Sequence, residues 1–422
     1  MKTCSNIVRR LLVLALVAAA VAHGSPAGAV GTGNSVTVWN KYAVDVVVGI
    51  AKKPGAAAMI DLTIVHAAIY DAVNAIDGGR FKAYASTPSV PQNASVDAAV
   101  GQAAHDVLRW LYPGQAEKLD ADLATALLAI PDGPEKDAGT AAGAAAADAV
   151  IVLRTNDGRN DLSVIYIPPS RVSAWEPTPP AQAPAQTPWV GTMKPFTMTA
   201  PSQFRPVAPP AVTSTEYAKA VNETRSKGVM VGSTRTDADT AQALFWAEHF
   251  ATQYNRYLRD LTVAQQLSTA DSARLFAAVT MTAADSLIAC WDGKFTYGLW
   301  RPITAIRNAA IDGNPDTAAD PLWTPLLATP NHPEYPSAHA CGSSAIAETL
   351  AAFFGTDRVR STITSTTDIT PRTFETFRDL YADVHDSRIF AGLHYRFSMN
   401  AGRVVGTKVS RQLTKKYFSP VQ

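Results

Sequence analysis

Three separated segments of the sequence place long cations and imidazoles beside small residues. WDGKFTYGLWRP carries Lys294 and Arg301, seven positions apart. PEYPSAHA carries His339, and SRIFAGLHYRF carries Arg388 and His394, six positions apart. Cations that are buried without partners are costly, whereas one polyanion can satisfy several of them at once. Together the three segments predict a site that binds a tetrahedral oxyanion.

The second segment also supplies uncharged donors. Pro336 is expected at the first position of a helix, followed by Ser337 and Ala338. Unpaired N–H groups at that positive helix end would form an anion site. In the first segment, Pro302 disfavours helical geometry at the residue before it, so Arg301 is expected at a helix break, pointing inward.

Each segment alone also has a plainer interpretation. An arginine is more often a surface or ion-paired residue, and a lone histidine in an alanine-rich helix is more often part of the core. The acids close to these cations in sequence are Asp292, Glu334 and Asp386. Because they are few, the combination of segments favours the anion site over separate ion pairs.

The three segments have the patterns K-x6-R-P, P-S-x-H and S-R-x5-H. In order and spacing they resemble the signature shared by vanadium-dependent haloperoxidases and type-2 phosphatidic acid phosphatases. Further stretches, VHAAIYDAVNAI, WEPTPP, ALFWAEH and ACWDGKFTYGLWRPITAIR, are similar to the soluble bacterial haloperoxidase-like branch. The resemblance covers most of the chain and implies an all-α fold built around two four-helix bundles.

The resemblance also implies residue roles and a vanadate cofactor. His394 would bond the central atom, which is vanadium in a peroxidase and phosphorus in a phosphatase intermediate. His339 would be the acid–base residue, which suits the near-neutral pKa of histidine. The oxyanion oxygens would be held by Lys294, Arg301, Ser337, Arg388 and the Ala338 amide.

Two neighbouring residues bear on the halide. Trp291 has the place of a tryptophan that lines the vanadate pocket in chloroperoxidases. His332 falls where chloroperoxidases tend to have phenylalanine and bromoperoxidases histidine, which favours bromide or iodide. The plainer interpretations are core packing for Trp291 and an ordinary loop position for His332.

Two positions depart from the family pattern. Four residues after its histidine the family usually has aspartate, which orients the nucleophilic histidine in phosphatases; this chain has Ser398. Phosphate-ester hydrolysis is therefore the weaker prediction, unless Asn400 or another group substitutes. Ala338 stands where glycine is usual, so that a Cβ would lie beside the bound anion.

Three functions follow, in decreasing order. The first is a vanadium-dependent haloperoxidase-type oxidoreductase, in which hydrogen peroxide oxidises bromide or iodide for transfer to an organic acceptor. The second is a secreted acid phosphatase of the type-2 phosphatidic acid phosphatase superfamily, with His394 as nucleophile towards a phosphate ester. The third is a non-catalytic helical protein that keeps an anion pocket.

The elements that must position these residues are helices. Alanine-rich segments with helical period dominate and few runs alternate with period two, so the fold is predicted to be all-α. Two four-helix-bundle-type halves, 30–160 and 215–422, flank a proline-rich extended arm, 161–214, with the oxyanion site in the second half. Helices are expected over 56–76, 96–111, 137–158 ending at a Gly158 cap, 237–261, 268–291 with a Ser268 or Thr269 cap, and about 387–417.

The N-terminus and the composition set the setting. A basic start, a short apolar run and the AGA at 27–29 are typical of a secretory signal peptide over 1–29, which predicts a secreted, extracellular protein. A net charge of +1 without a basic run gives no support for nucleic acid or an anionic membrane surface. No later segment is expected to span a membrane. Cys290 and Cys341 could form one bridge or stay free, and the oligomeric state is open, a homo-oligomer included.

Overall fold

The structure is a computed structural model that describes residues 33–421. The predicted signal peptide therefore lies outside the described residues. Within them, the α-helices are α1 Ser35–Val44, α2 Gly55–Ile76, α3 Val96–Leu111, α4 Ala116–Leu128, α5 Pro134–Arg154, α6 Thr215–Gly228, α7 Asp237–Phe245, α8 Phe250–Ala264, α9 Thr269–Tyr297, α10 Pro302–Arg307, α11 Ala338–Phe354, α12 Phe377–Phe390 and α13 Arg396–Lys416. One small antiparallel sheet pairs β1 Ser361–Ile363 with β2 Arg372–Phe374. The predicted all-α class is confirmed.

Helix α9 is the central element. Its N-cap is Ser268, whose side chain accepts the Asp271 amide, and it ends at Gly298 in the left-handed conformation. It is buried along most of its length and packs against α2 on one side and against α11 and α13 on the other. Because Lys294 lies in its last turn, the packing of this helix fixes where that cation stands.

By length and composition alone, two helices could cross a membrane, which corrects the expectation that no segment after the leader could. They are α2 and α9, and 100% and 94% of their most apolar windows are buried inside the protein. Helices that are apolar on every side are also what the centre of a large helical core requires.

Between α5 and α6, in the part of the chain that the structure describes, the only regular elements are two short 3-10 turns, Pro188–Gly191 and Pro201–Phe204. The buried carboxylate of Asp285 on α9 holds this segment, accepting the amides of Phe196 and Thr197 at 2.7 Å each. Residues from Gly33 onward form one compact unit. The boundaries near 160 and 214 stay predictions about sequence segments.

Three predicted helices differ from the observed ones. The helix expected over 137–158 ends at Arg154, whose guanidinium pairs with Asp157 at 2.6 Å, so Gly158 is not its cap. The helix expected over 237–261 is broken after α7, and the block expected over 387–417 is broken between α12 and α13. Both breaks expose main-chain groups at the predicted site.

The second break depends on glycine. Gly392 has φ +76°, a conformation that few other residues adopt, and its backbone lies against the backbone of Gly228 on α6. The chain can thus turn sharply between α12 and α13. That turn brings His394 back towards the end of α9.

Helices α11 and α13 touch through a second glycine. A Cβ built on Gly402 would lie 2.6 Å from the Ala340 Cβ and 2.8 Å from the Ser337 carbonyl oxygen. Only a residue without a side chain permits this approach. The start of α11 and the start of α13 therefore lie side by side.

Candidate active site

One cavity of about 360 Å³ collects most of the predicted site residues. Its lining includes Trp291, His332, Ala338, His339, Arg388 and His394. Lys294 and Arg301 are fully buried behind its wall, and Arg301 Nη1 lies 3.3 Å from His394 Nε2. The three sequence segments are thus brought together.

Main-chain carbonyl groups, rather than carboxylates, fix the first two cations. Lys294 Nζ donates to the carbonyls of Pro333 and Glu334 at 2.7 and 3.0 Å. Arg301, the N-cap residue of α10, donates to the carbonyls of His332 and Leu393 at 2.8 and 3.0 Å. Burial lowers the pKa of Lys294 to about 8 and that of Arg301 to about 10. Arg301 lies at a helix break and points inward, as the sequence predicted.

Arg388 is held less completely. Its Nη1 donates to the Trp246 carbonyl at 2.9 Å, a group that the break after α7 exposes. Its Nε is buried and has no hydrogen-bond partner within 33–421. Burial, followed by repulsion from Arg301, lowers the pKa of Arg388 to about 9. An anion in the cavity would offset the lost solvation.

The acids near these cations do not neutralise them. Asp292 pairs with Arg205 and Asp386 with Arg396, each at 2.6 Å. Glu334 is fully buried and bonds His394 instead. Burial raises the pKa of Glu334 to about 7, which weakens its charge further. Three buried cations thus face one carboxylate, and the site has an excess of positive charge.

The histidines of the cavity are neutral in the free protein. Burial and the neighbouring Arg301 lower the pKa of His394 well below its ordinary value. Burial and Arg388 do the same for His339, which is half-buried and meets the Phe250 ring edge-on at 5.7 Å. A neutral imidazole keeps one nitrogen lone pair free to accept a proton or to bond an electrophile.

The halide candidates lie together on one wall. The rings of Trp291 and His332 are 5.0 Å apart between centroids. Burial and nearby Lys294 lower the pKa of His332 well below its ordinary value, and its Nδ1 lies 2.9 Å from Arg301 Nη2. Both side chains are buried beside the cations, as a halide pocket would require.

The start of α11 differs from the prediction in one respect. The helix begins at Ala338 with Ser337 as its N-cap, so Pro336 precedes the cap and is not the first helical residue. Ser337 Oγ accepts the Ala340 amide at 3.5 Å. The amides of Ala338 and His339 come too early in the helix to have intrahelical acceptors, so they remain available for an anion. Ala338 lines the cavity with its extra methyl group.

Sequence reasoning missed two residues of this site. Glu334 was noted only as an acid near the cations, whereas its Oε1 accepts from His394 Nδ1 at 2.8 Å. The missing aspartate at position 398 was the signal that another carboxylate had to serve. His249 also lines the cavity, with its Nε2 3.0 Å from the Lys53 carbonyl. It lies in the ALFWAEH stretch, which received no role.

The donor set suits an oxyanion. No group of three or more His, Cys, Asp or Glu residues that could hold a metal ion occurs in the described part of the chain. An oxyanion with a single histidine bond needs no such group, and the unpartnered Arg388 Nε and the charge excess favour one. The residues present therefore fit vanadate or phosphate.

The two cysteines are free thiols in the interior. Cys290 on α9 and Cys341 on α11 are fully buried. Burial, reinforced by the hydrogen bond with Cys290, raises the pKa of Cys341 well above its ordinary value. Of the two alternatives left open by the sequence, the structure has the unbridged one.

Comparisons with known proteins agree with this arrangement. The family described as VCPO second helical-bundle domain matches residues 274–422. The vanadium chloroperoxidase of Curvularia inaequalis is 30% identical over a stretch that covers 28% of this chain and 23% of that protein. The chain thus spans about a quarter of the length of that curated relative.

Solved structures extend the likeness over nearly the whole chain. A bacterial vanadium-dependent iodoperoxidase has a TM-score of 0.76 at 20% identity, covering 92% of this chain and 97% of that chain. An apo-type bacterial vanadium-dependent chloroperoxidase has a TM-score of 0.68 at 19% identity, covering 86% and 92%. Residues 274–422 therefore belong to the VCPO second helical-bundle domain, and the chain has the fold of bacterial vanadium-dependent haloperoxidases, which confirms the resemblance predicted from its three motifs.

Proposed function

We propose that this protein is a vanadium-dependent haloperoxidase-type enzyme that uses hydrogen peroxide to oxidise a halide. The observation that carries the proposal is the set of three buried cations around His394, opposed by the single carboxylate of Glu334. Vanadate would be held by His394, and when bound it supplies the electrophilic centre that activates peroxide. The small molecules involved are peroxide, halide and an organic acceptor.

The cations would hold the oxyanion. Each charge-assisted hydrogen bond from Lys294, Arg301 or Arg388 is worth about 1.5–3 kcal/mol. The free amides at the start of α11 add uncharged donors at the positive end of a helix. Because most of these donors are already fixed by carbonyl groups, little reorganisation is needed when the anion arrives.

His339 is the group that would move protons. It is half-buried at the cavity and neutral in the free protein. An anion close to it favours the protonated form and so raises its pKa towards neutrality. His339 could then take a proton from a bound acid and return it during turnover.

We further propose that bromide or iodide is preferred to chloride. The support is the position of His332 against Trp291, at the place where the resemblance associates histidine with bromoperoxidases. Export as a secreted protein is also proposed, from the signal at 1–29.

A second function is favoured by one specific observation. Sequence reasoning reduced the weight of acid phosphatase because Ser398 replaces an aspartate. Glu334 now supplies a carboxylate to His394 Nδ1, so the nucleophile of a phosphatase would also be oriented. Hydrolysis of a phosphate ester by the vanadate-free protein therefore remains the alternative.

One preparation can test both functions. The purified protein is loaded with vanadate and given peroxide with iodide, bromide or chloride, and halogenation of an activated diketone is followed. The vanadate-free protein is then assayed with a phosphate monoester. We expect vanadate-dependent turnover of bromide and iodide that His394→Ala abolishes. Ester hydrolysis alone would refute the haloperoxidase proposal, and a folded protein silent in both assays would favour a non-catalytic anion pocket.

A further inference from the structure

A single carboxylate oxygen contacts both the ring and the main chain beside His394. Glu334 Oε1 accepts from His394 Nδ1 at 2.8 Å and from the Tyr395 amide at 3.0 Å. The Glu334 side chain is fully buried, and its Oε2 has no partner within 33–421. The ring of His394 and its own segment of backbone are thus referred to the same atom.

We propose that Glu334 is the positioning residue of His394 and performs the role of the carboxylate that relatives carry at the position of Ser398. The proposal rests on the proposed function, because it concerns the residue that would bond the oxyanion. Glu334 comes from the loop before α11, whereas position 398 lies in the first turn of α13. The carboxylate would therefore have changed its place in the sequence while keeping its place in space.

The hydrogen bond determines which nitrogen of His394 is reactive. A carboxylate accepts only from the protonated nitrogen, so Nδ1 carries the proton and Nε2 keeps its lone pair. Nε2 lies 3.3 Å from Arg301 Nη1, beside the cations that would hold the anion. A carboxylate behind the ring also makes Nε2 a stronger electron donor. Glu334 thus selects the tautomer that can bond an electrophile.

The loop that carries Glu334 is itself fixed by the site. Its carbonyl accepts from Lys294 Nζ at 3.0 Å, and its amide donates to the Leu299 carbonyl at 2.9 Å. Ser398 Oγ donates to that same Glu334 carbonyl at 3.5 Å. Positions 334 and 398 are therefore neighbours, and a small residue at 398 leaves the space for the glutamate.

Nitrogen-15 NMR of the histidine side chains tests the tautomer in the vanadate-free protein. A His394→Gln variant identifies the resonances of His394 by subtraction. We expect a protonated Nδ1 and an unprotonated Nε2 in the wild type and in Glu334→Gln, whose amide oxygen can still accept. Glu334→Ala should show a mixture of tautomers. A wild-type protein with its proton on Nε2 would overturn the proposal without any variant.

Binding of orthovanadate, measured by equilibrium dialysis, gives a second readout. Glu334→Ala should weaken binding by about 10- to 100-fold, the usual effect of removing a partner behind a ligating histidine. Glu334→Gln should recover most of this loss, and Ser398→Asp placed in the Glu334→Ala background should recover part of it. Wild-type affinity in a folded Glu334→Ala protein contradicts the proposal, as does a Glu334→Gln variant as weak as Glu334→Ala.

These measurements are independent of halide turnover. If the wild type fails to oxidise any halide but shows the expected tautomer and affinities, the proposed function fails and the role of Glu334 stands. If halides are oxidised and the tautomer is the opposite one, the role of Glu334 fails alone. Glu348→Ala, on the solvent side of α11, is the matched control and should leave both readouts unchanged.

Discussion

Arg388 is the cation of the site with the least satisfied guanidinium. One nitrogen donates to the Trp246 carbonyl, whereas the buried Nε has no partner in the described chain. A buried polar group without a partner costs about 1–3 kcal/mol. An oxyanion that accepts from Arg388 removes this cost, so part of the binding free energy comes from relieving a defect of the free site.

Arg388→Ala should therefore lower turnover by about 10²- to 10³-fold, as loss of one preorganised donor does at other oxyanion sites. The initial rate with saturating peroxide and halide, or with ester if the protein is a phosphatase, measures this loss. Arg403→Ala is the control, since Arg403 is exposed on α13 and does not line the cavity. Turnover of Arg388→Ala within about threefold of the control would show that this arginine is not a donor.

At the scale of the elements, helices with strong local signals were predicted well. The expected range 96–111 coincides with α3, and the Ser268 cap starts α9. The break between α7 and α8 was not predictable, because it contains neither glycine nor proline. It is held by tertiary contacts: Trp246 Nε1 donates to Asp383 at 2.7 Å, and Glu248 pairs with Arg256. Such contacts leave no local mark on the sequence.

The site divides in the same way. The cations and imidazoles were predictable because their spacing within each segment is short and distinctive. The role of Glu334 was not, because its partner His394 lies sixty positions further along the chain. Near Lys294 and Arg301 it was taken as a possible counterion. Only the packing of the loop against the α12–α13 turn reveals that it serves the histidine.

The contact between α11 and α13 gives a prediction at this scale. Gly402→Ala should force the two helices apart, because its Cβ would meet Ala340 and backbone atoms of α11. Overpacking of this kind costs about 1–3 kcal/mol in the free energy of unfolding. Vanadate affinity should fall as well, since His339 and His394 move apart with the helices. Urea denaturation measures the first effect and dialysis the second.

Gly49→Ala is the matched control for that substitution. Gly49 lies in a π-helical turn after α1, and a Cβ added there would have no packing neighbour within 4 Å. The change should therefore be neutral or slightly stabilising. Equal stability of the two variants would mean that the close approach at Gly402 is not needed.

For the whole molecule, the charge is unevenly distributed. The net charge is only +1, yet three cations and one carboxylate are concentrated in the buried site. Folding must therefore desolvate and confine like charges. Burial lowers the pKa of each of the three cations, which shows that the free protein carries this cost.

Phosphate should consequently stabilise the folded protein. A ligand that binds only the native state at about 100 times its Kd adds about 2.7 kcal/mol to the free energy of unfolding. Thermal unfolding in increasing phosphate measures the effect, with sodium chloride at equal ionic strength as the control. An unchanged midpoint in phosphate and in vanadate would mean that the cavity does not bind tetrahedral anions.

The buried thiols affect how long such a protein would last. Under the proposed function, each turnover releases an oxidised halogen species, for which exposed cysteine sulfur is a ready target. Cys290 and Cys341 lie on the two helices that carry Lys294 and His339, yet both are shielded from solvent. The raised pKa of Cys341 keeps it in the less reactive thiol form. The operating lifetime is thus protected by placing the sulfur atoms nearest the chemistry where its product does not reach them.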